Sequence, residues 1–451
     1  MITRIEIDGF KSFRDFSAEF RSFQVFVGPN GGGKSNLFDA IMLLARLAGD
    51  NTLHGASRQC RGGLKECFSI LPDGSSVQQM RFAVEMLIAP QIADSFGVSA
   101  KVSSTRLRYE LALERRNEGG FERLALVHEN LLPLAEKLDP WFRPNVPARR
   151  RKAWIVRRRR EPYISTSEED GYIYLHQDRR SGGWHETPLA DRDRTVLSGV
   201  NSAEYPTAYA ACQEMSGWRH LSLVPSALRD SSRCDQHKTL LEDGSNLAAV
   251  LYRISQTAET GLADISRDLA EIVPGTSEIT VDRLVERDGF LIRTKAEPGP
   301  TFSSQVMPDG TLRVLALVAL SNDPCHRGVV CLEEPENGVY PAQIPKLVGV
   351  LRRLATDFDS DPDGDCRQVL INTHSPTLPA YLDARDLQFV HVLADQSLQT
   401  RTNRVVSQIP LFPDHDPDHD TPDRDYTIHE ILKQLAPVSL REHDSNVEEN
   451  A

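Results

Sequence analysis

The chain has 451 residues, and its 52 lysine and arginine residues are outnumbered by 64 aspartate and glutamate residues, which gives a formal net charge of −12. This acidic balance excludes a diffuse affinity of the whole chain for polyanions, and the length predicts roughly two or three domains. Seven cysteines without a C-x-x-C pair argue against a disulfide or zinc framework, and no apolar run approaches the roughly 20 residues of a membrane span. We therefore expect a cytoplasmic protein with no membrane partner.

A phosphate-binding motif lies near the amino terminus. Residues 28–35 read GPNGGGKS, which matches the P-loop pattern G-x-x-x-x-G-K-S. The apolar residues 23–27 before it predict a buried strand, and residues 37–44 after it predict a helix, which is the context that the motif requires. Its glycines allow main-chain N–H groups to converge on the α- and β-phosphates at the positive end of the helix. Lys34 would reach the β- and γ-phosphate oxygens and the Ser35 hydroxyl would bind Mg²⁺, so ATP and Mg are the predicted cofactors.

Between this motif and the motifs of the carboxyl-terminal half, the pattern predicts a mixed insertion of strands and helices. Residues 80–87, at the end of the amino-terminal part, and residues 106–114, in the insertion, alternate in the manner of strands, and residues 244–270 of the insertion predict paired helices. Sustained apolar heptads are lacking, which argues against a long coiled coil.

One segment of the insertion, residues 143–160, is strongly basic. Two runs of basic residues flank the sequence AWIV at 153–156, and Tyr163 follows. Arginines on both sides of an aromatic side chain could hold phosphates and stack on the bases of DNA or RNA. The alternatives are a patch that docks an acidic partner protein or the acidic tail of this chain, and a solvated loop without a role. The candidate nucleic-acid contacts are Arg149, Arg150, Arg151, Arg157, Arg158, Arg159 and Arg160.

Two further apolar runs end in polar residues. Residues 328–332 predict a strand that ends at Glu333 and Glu334, and residues 369–372 predict a strand that ends beside His374. In a P-loop ATPase, Glu333 would support the metal and Glu334 would polarise the attacking water. A neutral His374 imidazole could hydrogen-bond the γ-phosphate or the water. Taken singly, an acidic loop is usually only solvated and such a histidine is usually structural, but the order of the three motifs favours catalysis.

Six ordered motifs resemble those of one family. The chain is similar to the compact AAA-family ATPases, of AAA15 or AAA21 type, in the RecF/SMC/OLD group of ABC-type ATPases. The residues that carry the resemblance are IEIDGFKSF at 5–13, GPNGGGKSN at 28–36, DGSNLA at 243–248, DGTLR at 309–313, EEPENGVYP at 333–341 and THSP at 373–376. The resemblance implies an α/β fold, namely a P-loop ABC-type ATPase head of two lobes with a mixed α+β insertion.

The motif positions then divide the chain into four parts. Residues 1–90 are expected to form an N-terminal ATPase lobe with the P-loop, and residues 91–290 an insertion that contains the basic segment 143–160 and the helical part 244–270. Residues 291–400 are expected to form a C-terminal ATPase lobe with the signature, Walker B and His-switch motifs. Residues 401–451 are expected to form an acidic tail with a short helix near residues 428–435. The Asp and His residues at 414–420 resemble a metal cluster, but the prolines around them favour a disordered acidic linker.

The resemblance also implies that two heads dimerise around two ATP molecules, so a homodimer or higher homo-oligomer is expected. The signature loop, which would reach the nucleotide of the partner, consists of Asp309, Gly310 and Thr311. The family's signature serine is Pro308 here, and its usual histidine after the acidic motif is Tyr340. Lys11 lies where a basic residue contacts phosphate. The nucleotide-binding set is then Lys11, Gly28, Asn30, Gly31, Gly33, Lys34, Ser35 and Asn36, and the candidates for a Q-loop glutamine are Gln59, Gln78 and Gln79.

These motifs leave two biological roles open. One is DNA repair or anti-phage genome defence, in which the ATPase engages DNA or RNA and acts with a separately encoded effector. The segment after His374 favours a separate effector, because it shows no strand-borne glutamate followed by a spaced D-x-D pair, as in the TOPRIM nuclease of large OLD-type relatives. The alternative is a nucleotide-gated sensor or scaffold that binds a protein ligand and no nucleic acid.

Overall fold

The computed structural model describes residues 1–28, 31–49, 51–71, 73–94, 97–135, 137, 139–179, 182–234, 239–360, 366–389, 392–393 and 404–405. Its strands are β1 (Ile2–Asp8), β2 (Phe16–Glu19), β3 (Phe23–Val27), β4 (Gln79–Leu87), β5 (Gln91–Ala93), β6 (Ser99–Lys101), β7 (Arg106–Glu118), β8 (Phe121–Pro133), β9 (Ile164–Ser167), β10 (Tyr172–His176), β11 (Trp184–Pro188), β12 (Arg219–Leu221), β13 (Ser232–Arg233), β14 (Thr276–Leu284), β15 (Gly289–Ala296), β16 (Thr301–Ser303), β17 (Gly328–Glu333), β18 (Arg367–Thr373), β19 (Leu387–Phe389), β20 (Val392–Leu393) and β21 (Arg404–Val405). Its α-helices are α1 (Lys34–Ala48), α2 (Leu53–Arg58), α3 (Gly63–Cys67), α4 (Phe142–Asn145), α5 (Arg151–Trp154), α6 (Pro206–Ser216), α7 (Pro225–Arg229), α8 (Leu247–Thr257), α9 (Gly261–Ile272), α10 (Asp309–Ser321) and α11 (Ile344–Arg353). The predicted tail, with its helix and its Asp and His cluster, lies outside the described residues except for 404–405, and Asn30 also lies outside them.

A five-stranded parallel sheet brings the predicted nucleotide motifs together. Its strand order is β12-β17-β18-β3-β19, and each neighbouring pair is parallel. β3, β17 and β18 are apolar along most of their length because parallel strands are buried on both faces. In register, Glu333 pairs with Asn372 and Thr373 pairs with Val27, so the carboxyl ends of these three strands meet at one edge. The strands predicted before the P-loop, before Glu333 and before His374 are confirmed, and their shared edge is where open α/β sheets bind ligands.

An eight-stranded antiparallel sheet has the order β11-β10-β9-β8-β7-β4-β1-β2. Its inner face packs with α1 and α6 around one hydrophobic core, to which Ile5, Val84 and Leu111 belong. The strands predicted at 80–87 and 106–114 are confirmed, and the second is longer than predicted because β7 pairs with β8 over its whole length. β4 and β7 are neighbours in this sheet, although the predicted boundary between the N-terminal lobe and the insertion, at residue 90, lies between them in the sequence. Strands of the predicted insertion therefore extend the amino-terminal lobe.

A smaller sheet, β13-β15-β14 with β16 paired to β15, packs against α8 and α9. These two helices confirm the paired helices predicted at 244–270. Asn246 precedes α8, and its side chain accepts a hydrogen bond from the Leu241 N–H (2.8 Å) and donates one to the Thr239 carbonyl (2.8 Å), which fixes the preceding turn. Among the described residues, no helix combines the length and the apolar character that crossing a membrane requires.

Part of the basic segment is built into the fold. Arg157 donates to Asp139 (2.7 Å), whose carboxylate also receives the fork of the buried Arg106 (2.9 Å for both bonds). Removing one partner from a buried ion pair typically costs about 3–5 kcal/mol, so Arg157 has a structural role. Trp154 and Tyr163 are 1% and 0% exposed, so the prediction that these aromatic side chains stack on bases is wrong.

The seven arginines predicted to contact nucleic acid fall into two groups. The arginines bonded to other parts of the protein are Arg149 and Arg150 (to Asp359), Arg151 (to the Val146 and Arg143 carbonyls), Arg157 (to Asp139) and Arg159 (to the Glu161 and Pro162 carbonyls). Arg158 and Arg160 are exposed. Among the predicted nucleic-acid contacts, these two are therefore the best placed to meet a ligand.

Candidate nucleotide site

The P-loop connects β3 to α1. Gly31 and Gly33 have φ angles of 82° and 93°, a left-handed backbone that glycine adopts without the steric cost of a Cβ. α1 begins at Lys34, so the N–H groups of its first turn, which lack helical partners, face the loop. The Lys34 ammonium donates to the Gly28 carbonyl (2.7 Å) across the loop. This arrangement can bind an anion through main-chain N–H groups and one lysine.

Ser35 and Glu333, the predicted Mg²⁺ ligands, lie together. The Ser35 hydroxyl receives a hydrogen bond from the amide of Asn372 (3.2 Å), and Asn372 is the register partner of Glu333 on the neighbouring strand. The His220 ring, with its Nε2 atom 3.7 Å from Glu333, is the main cause that lowers the pKa of Glu333, so this carboxylate is ionised at neutral pH. Mg²⁺ prefers oxygen ligands and commonly binds one or two carboxylates plus substrate phosphates. The residues present therefore fit this ion.

Glu334 and His374, the predicted catalytic residues, are in contact. The Glu334 carboxylate bonds with His374 Nδ1 and accepts a hydrogen bond from the Asn337 amide. Its main-chain N–H donates to the Asn372 carbonyl (2.8 Å), and its φ of 47° is uncommon for a residue other than glycine. Such a backbone persists when the surrounding contacts enforce it, and it is frequent at functional sites. The turn separates the Glu334 carboxylate from that of Glu333.

Two residues that the sequence analysis missed lie beside Glu333. Arg61 donates to Glu333 (3.4 Å) and to Asp39 (3.2 Å). His220, on β12, has its Nε2 atom 3.7 Å from Glu333 and its Nδ1 atom 2.8 Å from Glu242. Burial opposes the charge on His220, but its hydrogen bond with Glu242 and the nearby Glu333 carboxylate raise its pKa to about 9, so the ring is a cation at neutral pH. Only tertiary folding brings these cations to the end of β17, and no local sequence pattern marks them.

The family described as "AAA domain, putative AbiEii toxin, Type IV TA system" matches residues 23–379, which is most of the chain. The chain belongs to this AAA-domain family. The match confirms the predicted resemblance to AAA21-type ATPases. Together with the P-loop at the edge of the parallel sheet, it confirms the predicted α/β fold of an ABC-type ATPase head.

Solved structures similar to this AAA domain include two head domains. The Smc head domain of Pyrococcus furiosus, solved with an extended coiled coil and bound to the C-terminal domain of ScpA, is 11% identical with a TM-score of 0.49, over 90% of this chain and 95% of that chain. The SMC head domain from Thermotoga maritima is 12% identical with a TM-score of 0.39, over 91% of this chain and 98% of that chain. No curated protein matches the chain.

The signature loop of this AAA domain packs against the turn that follows β17. A Cβ on Gly310 would lie 2.0 Å from the Gly338 carbonyl oxygen, so a larger residue would force the two segments apart. Arg313 donates to the Asn337 carbonyl (3.1 Å), and the Asn337 side chain bonds to Glu334. The signature loop is therefore linked by contacts to the predicted catalytic carboxylate of its own chain.

A helix follows the signature motif directly. α10 begins at Asp309, and Pro308 precedes its first turn. Asp309 pairs with Arg229 in the same chain. The N–H groups of Asp309, Gly310 and Thr311 lie in the first turn, where helical partners are lacking, so they form a second place where an anion could bind.

Several predicted nucleotide contacts of the AAA domain bond to other residues. The Lys11 ammonium pairs with Asp39 (2.6 Å), and the Asn36 amide donates to the Ser12 hydroxyl (2.8 Å). The Q-loop candidates bond to near neighbours: Gln59 to Asn51 (3.4 Å), Gln78 to the Ser76 carbonyl (3.3 Å) and Gln79 to Arg81 (3.0 Å). These contacts single out none of the three glutamines.

Proposed function

We propose that this chain is a Mg²⁺-dependent ATPase. Lys34 holds the β- and γ-phosphates, Ser35 and Glu333 hold the ion, and Glu334 polarises the attacking water. One observation carries the proposal: Glu333 lies in register with Asn372, whose amide bonds to Ser35, while the next residue, Glu334, bonds with His374 on the neighbouring strand end. Ion binding and water activation are thereby divided between two adjacent carboxylates.

The side chains of the site suit phosphoryl transfer, which depends on positioning and charge more than on covalent chemistry. Bound Mg²⁺ would neutralise charge on the phosphate oxygens. The Glu334 carboxylate orients the water and accepts its proton. His374 orients Glu334 through Nδ1, and its half-exposed ring leaves Nε2 for the water or a phosphate oxygen. The Lys34 ammonium stabilises the charge that develops on the phosphates.

The test is phosphate release by the purified chain at saturating ATP. With Mg²⁺ we expect steady release, and with EDTA in excess of the metal we expect the rate to fall to that of ATP alone. The metal is needed because the single positive charge of Lys34 cannot by itself neutralise the triphosphate, and the Glu333 carboxylate adds negative charge. Release that continues unchanged in EDTA would overturn the proposal, and restored release after Mg²⁺ is added back is the control for damage by the chelator.

We further propose that two heads associate around ATP, with the signature loop of each reaching the γ-phosphate bound by the other. The unpartnered N–H groups in the first turn of α10 support this role, because the start of a helix attracts anions. Pro308 lacks the hydroxyl that the family's serine would offer, so we expect hydrolysis to be slow until a partner engages.

We expect Pro308→Ser to raise the basal rate of hydrolysis. Proline has no donor, whereas a serine hydroxyl could donate to the γ-phosphate of the other subunit as charge develops. Losing one such donor costs about 2.7–4 kcal/mol in other enzymes, and the N–H groups of the following turn offset only part of that. A gain of about tenfold or more in the steady-state rate at saturating Mg–ATP is therefore expected.

Pro308→Ala is the matched control for this variant, because alanine frees the backbone as serine does but adds no donor. A serine variant slower than the wild type would contradict the prediction. It would mean that Pro308 serves to hold the loop in shape.

We propose that the ATPase acts in DNA repair or anti-phage genome defence with a separately encoded effector. The family description, which names a putative AbiEii toxin and a Type IV TA system, supports a defence role. The alternative, a sensor or scaffold for a protein ligand, is favoured by the burial of Trp154 and Tyr163 within the basic segment. A nuclease or toxin encoded by the adjacent reading frame would support the defence role.

Replacing Arg158 and Arg160 with serine distinguishes these two roles. If the pair contacts phosphates, affinity for nucleic acid falls, and the slope of log affinity against log salt decreases by about 1.4–1.8, because each contact contributes about 0.7–0.9. Arg157 is left in place because its bond to Asp139 stabilises the fold. Electrophoretic mobility shifts over a salt series measure the effect.

An Arg267→Ser/Lys295→Ser variant is the control, since it removes the same charge from exposed positions elsewhere. If the wild type binds neither single strands nor duplexes at low salt, with or without ATP, the protein-ligand role is favoured.

A further inference from the structure

The outer face of the eight-stranded sheet carries a row of aromatic side chains at one end. Along β10, Tyr172, Tyr174 and His176 alternate with two buried residues, so the three rings share the outer face. Trp184 on β11 is the register partner of His176 and therefore lies on the same face. These four side chains are called the aromatic stripe below.

The rings of the aromatic stripe are accessible and evenly spaced. The ring centres of Tyr172 and Tyr174 are 6.5 Å apart, and those of Tyr174 and His176 are 6.3 Å apart. Trp184 is 65% exposed and Tyr172 is 36% exposed. Single exposed apolar side chains are normal on protein surfaces, but several neighbouring rings on one face form a patch of the kind that ligands cover.

Arginines lie at the His176 end of the aromatic stripe. Arg159 donates to the carbonyl of Gln177, the residue next to His176. Burial and the Arg159 charge lower the pKa of His176, so its ring is neutral at neutral pH and suited to stacking. Arg158 and Arg160, on either side of Arg159, are exposed.

Carboxylates lie beside the middle of the stripe, at Tyr174. Asp170 accepts a hydrogen bond from the Tyr174 hydroxyl (3.5 Å), and Glu186 is the register partner of Tyr174. These carboxylates would repel a polyanion, whereas Arg158 and Arg160 would attract it. A ligand with flat rings and negative charge would therefore place its charge at the His176 end.

We infer that the aromatic stripe stacks the bases of a single-stranded nucleic acid while Arg158 and Arg160 hold its phosphates. This inference rests on the nucleic-acid role proposed above, and it specifies the ligand and the site. Aromatic side chains on sheets stack successive bases in other single-strand-binding proteins. A duplex fits the stripe less well than a single strand does, because the faces of its bases are hidden. An acidic peptide also fits less well, because it would match the arginines but leave the rings uncovered.

The test is binding of fluorescein-labelled oligothymidylate and oligouridylate of about 12 nucleotides to the full chain at low salt, followed by anisotropy. Trp184→Ala and Tyr172→Ala are each expected to weaken binding about tenfold. The salt slope should stay unchanged in both, because rings contribute no counterion release. Phe121→Ala is the matched control, since Phe121 is 81% exposed at the turn between β7 and β8 and lies outside the stripe.

Tryptophan fluorescence gives a second measurement. Trp141, Trp154 and Trp218 are 3%, 1% and 3% exposed, so quenching by an unlabelled oligonucleotide reports chiefly on Trp184. We expect quenching in the wild type and in Phe121→Ala, and its loss in Trp184→Ala.

Three results would overturn the inference: affinities of the ring variants equal to that of Phe121→Ala, tighter binding of a duplex than of a single strand, or no binding of any single strand at low salt. Single-strand binding that the ring variants leave unchanged rejects the stripe alone, whereas a wild type that binds neither single strands nor duplexes rejects the nucleic-acid role as well. Phosphate release from the same preparations tests the proposed ATPase separately.

Discussion

Glu334→Gln is expected to keep ATP bound while it lowers the rate of hydrolysis by about 10²–10⁴-fold. Glutamine has nearly the shape of glutamate, and its amide oxygen can still accept the hydrogen bond from Asn337. It cannot take a proton from water, so the chemical step alone loses its base. Steady-state phosphate release measures the rate, and titration calorimetry measures the affinity for ATP.

Glu278→Gln is the control for this variant, because Glu278 is exposed on β14 and lies away from the end of β17. A Glu334→Gln protein that hydrolyses ATP at the wild-type rate would show that another group activates the water. If ATP binding were lost together with hydrolysis, the carboxylate would be needed to hold the loop rather than to act on water.

The same variant also tests ATP-linked association, because trapped ATP should hold two heads together. Light scattering of Glu334→Gln is expected to give the mass of a monomer without nucleotide and that of a dimer with Mg–ATP. An unchanged mass would favour a constitutive oligomer, in which Pro308 has removed the control of assembly by ATP.

Local patterns made most of the nucleotide site predictable. β3, β17 and β18 are apolar runs that end in motif residues, and parallel strands of one sheet share their carboxyl edge. Ser35, Glu333 and His374 could therefore be expected near one another without knowledge of the strand order. The contact of Glu334 with His374 rather than with Ser35 depends on the left-handed turn at Glu334, which no periodicity predicts.

Contacts between residues distant in sequence were not predictable. His220 reaches Glu333 because β12 pairs with β17, and Arg61 reaches it from a loop without a periodic pattern. Composition gives the wrong expectation at Trp154, whose basic neighbours are typical of a solvated segment. Its ring is buried against Phe358 (5.2 Å between ring centres), because tertiary packing overrides local polarity.

Lys34→Ala is expected to abolish measurable nucleotide binding, with a loss of more than about 3 kcal/mol, or over about 100-fold in Kd. The Lys34 ammonium is held across the P-loop by the Gly28 carbonyl, where we propose that it binds the β- and γ-phosphates. Charge-assisted hydrogen bonds are roughly twice as strong as neutral ones, and removing this cation leaves buried phosphate charge unpaired. Calorimetric titration with Mg–ATP measures the loss, and Lys346→Ala, at an exposed position on α11, is the control.

A loss of binding through unfolding can be recognised separately. Burial disfavours the charge on Lys34 in the protein without nucleotide and offsets its hydrogen bond to the Gly28 carbonyl, so alanine should change the free energy of unfolding of that state only slightly. A thermal unfolding midpoint well below that of the wild type would contradict this account and would make the lysine a structural residue.

The pH dependence of ATP binding gives Lys34 a second test. Burial lowers the pKa of its ammonium from 10.5 to about 8, despite the opposing effect of Glu334, so without nucleotide the folded protein loses this proton as the pH rises through 8. Phosphate favours the charged ammonium, so above that pH binding must take up a proton, and affinity should fall by up to about tenfold per pH unit. Lys346→Ala should keep this dependence. A wild-type affinity that stays flat from about pH 7 to about pH 9.5 would mean that Lys34 does not bind the phosphates as a cation that titrates in this range.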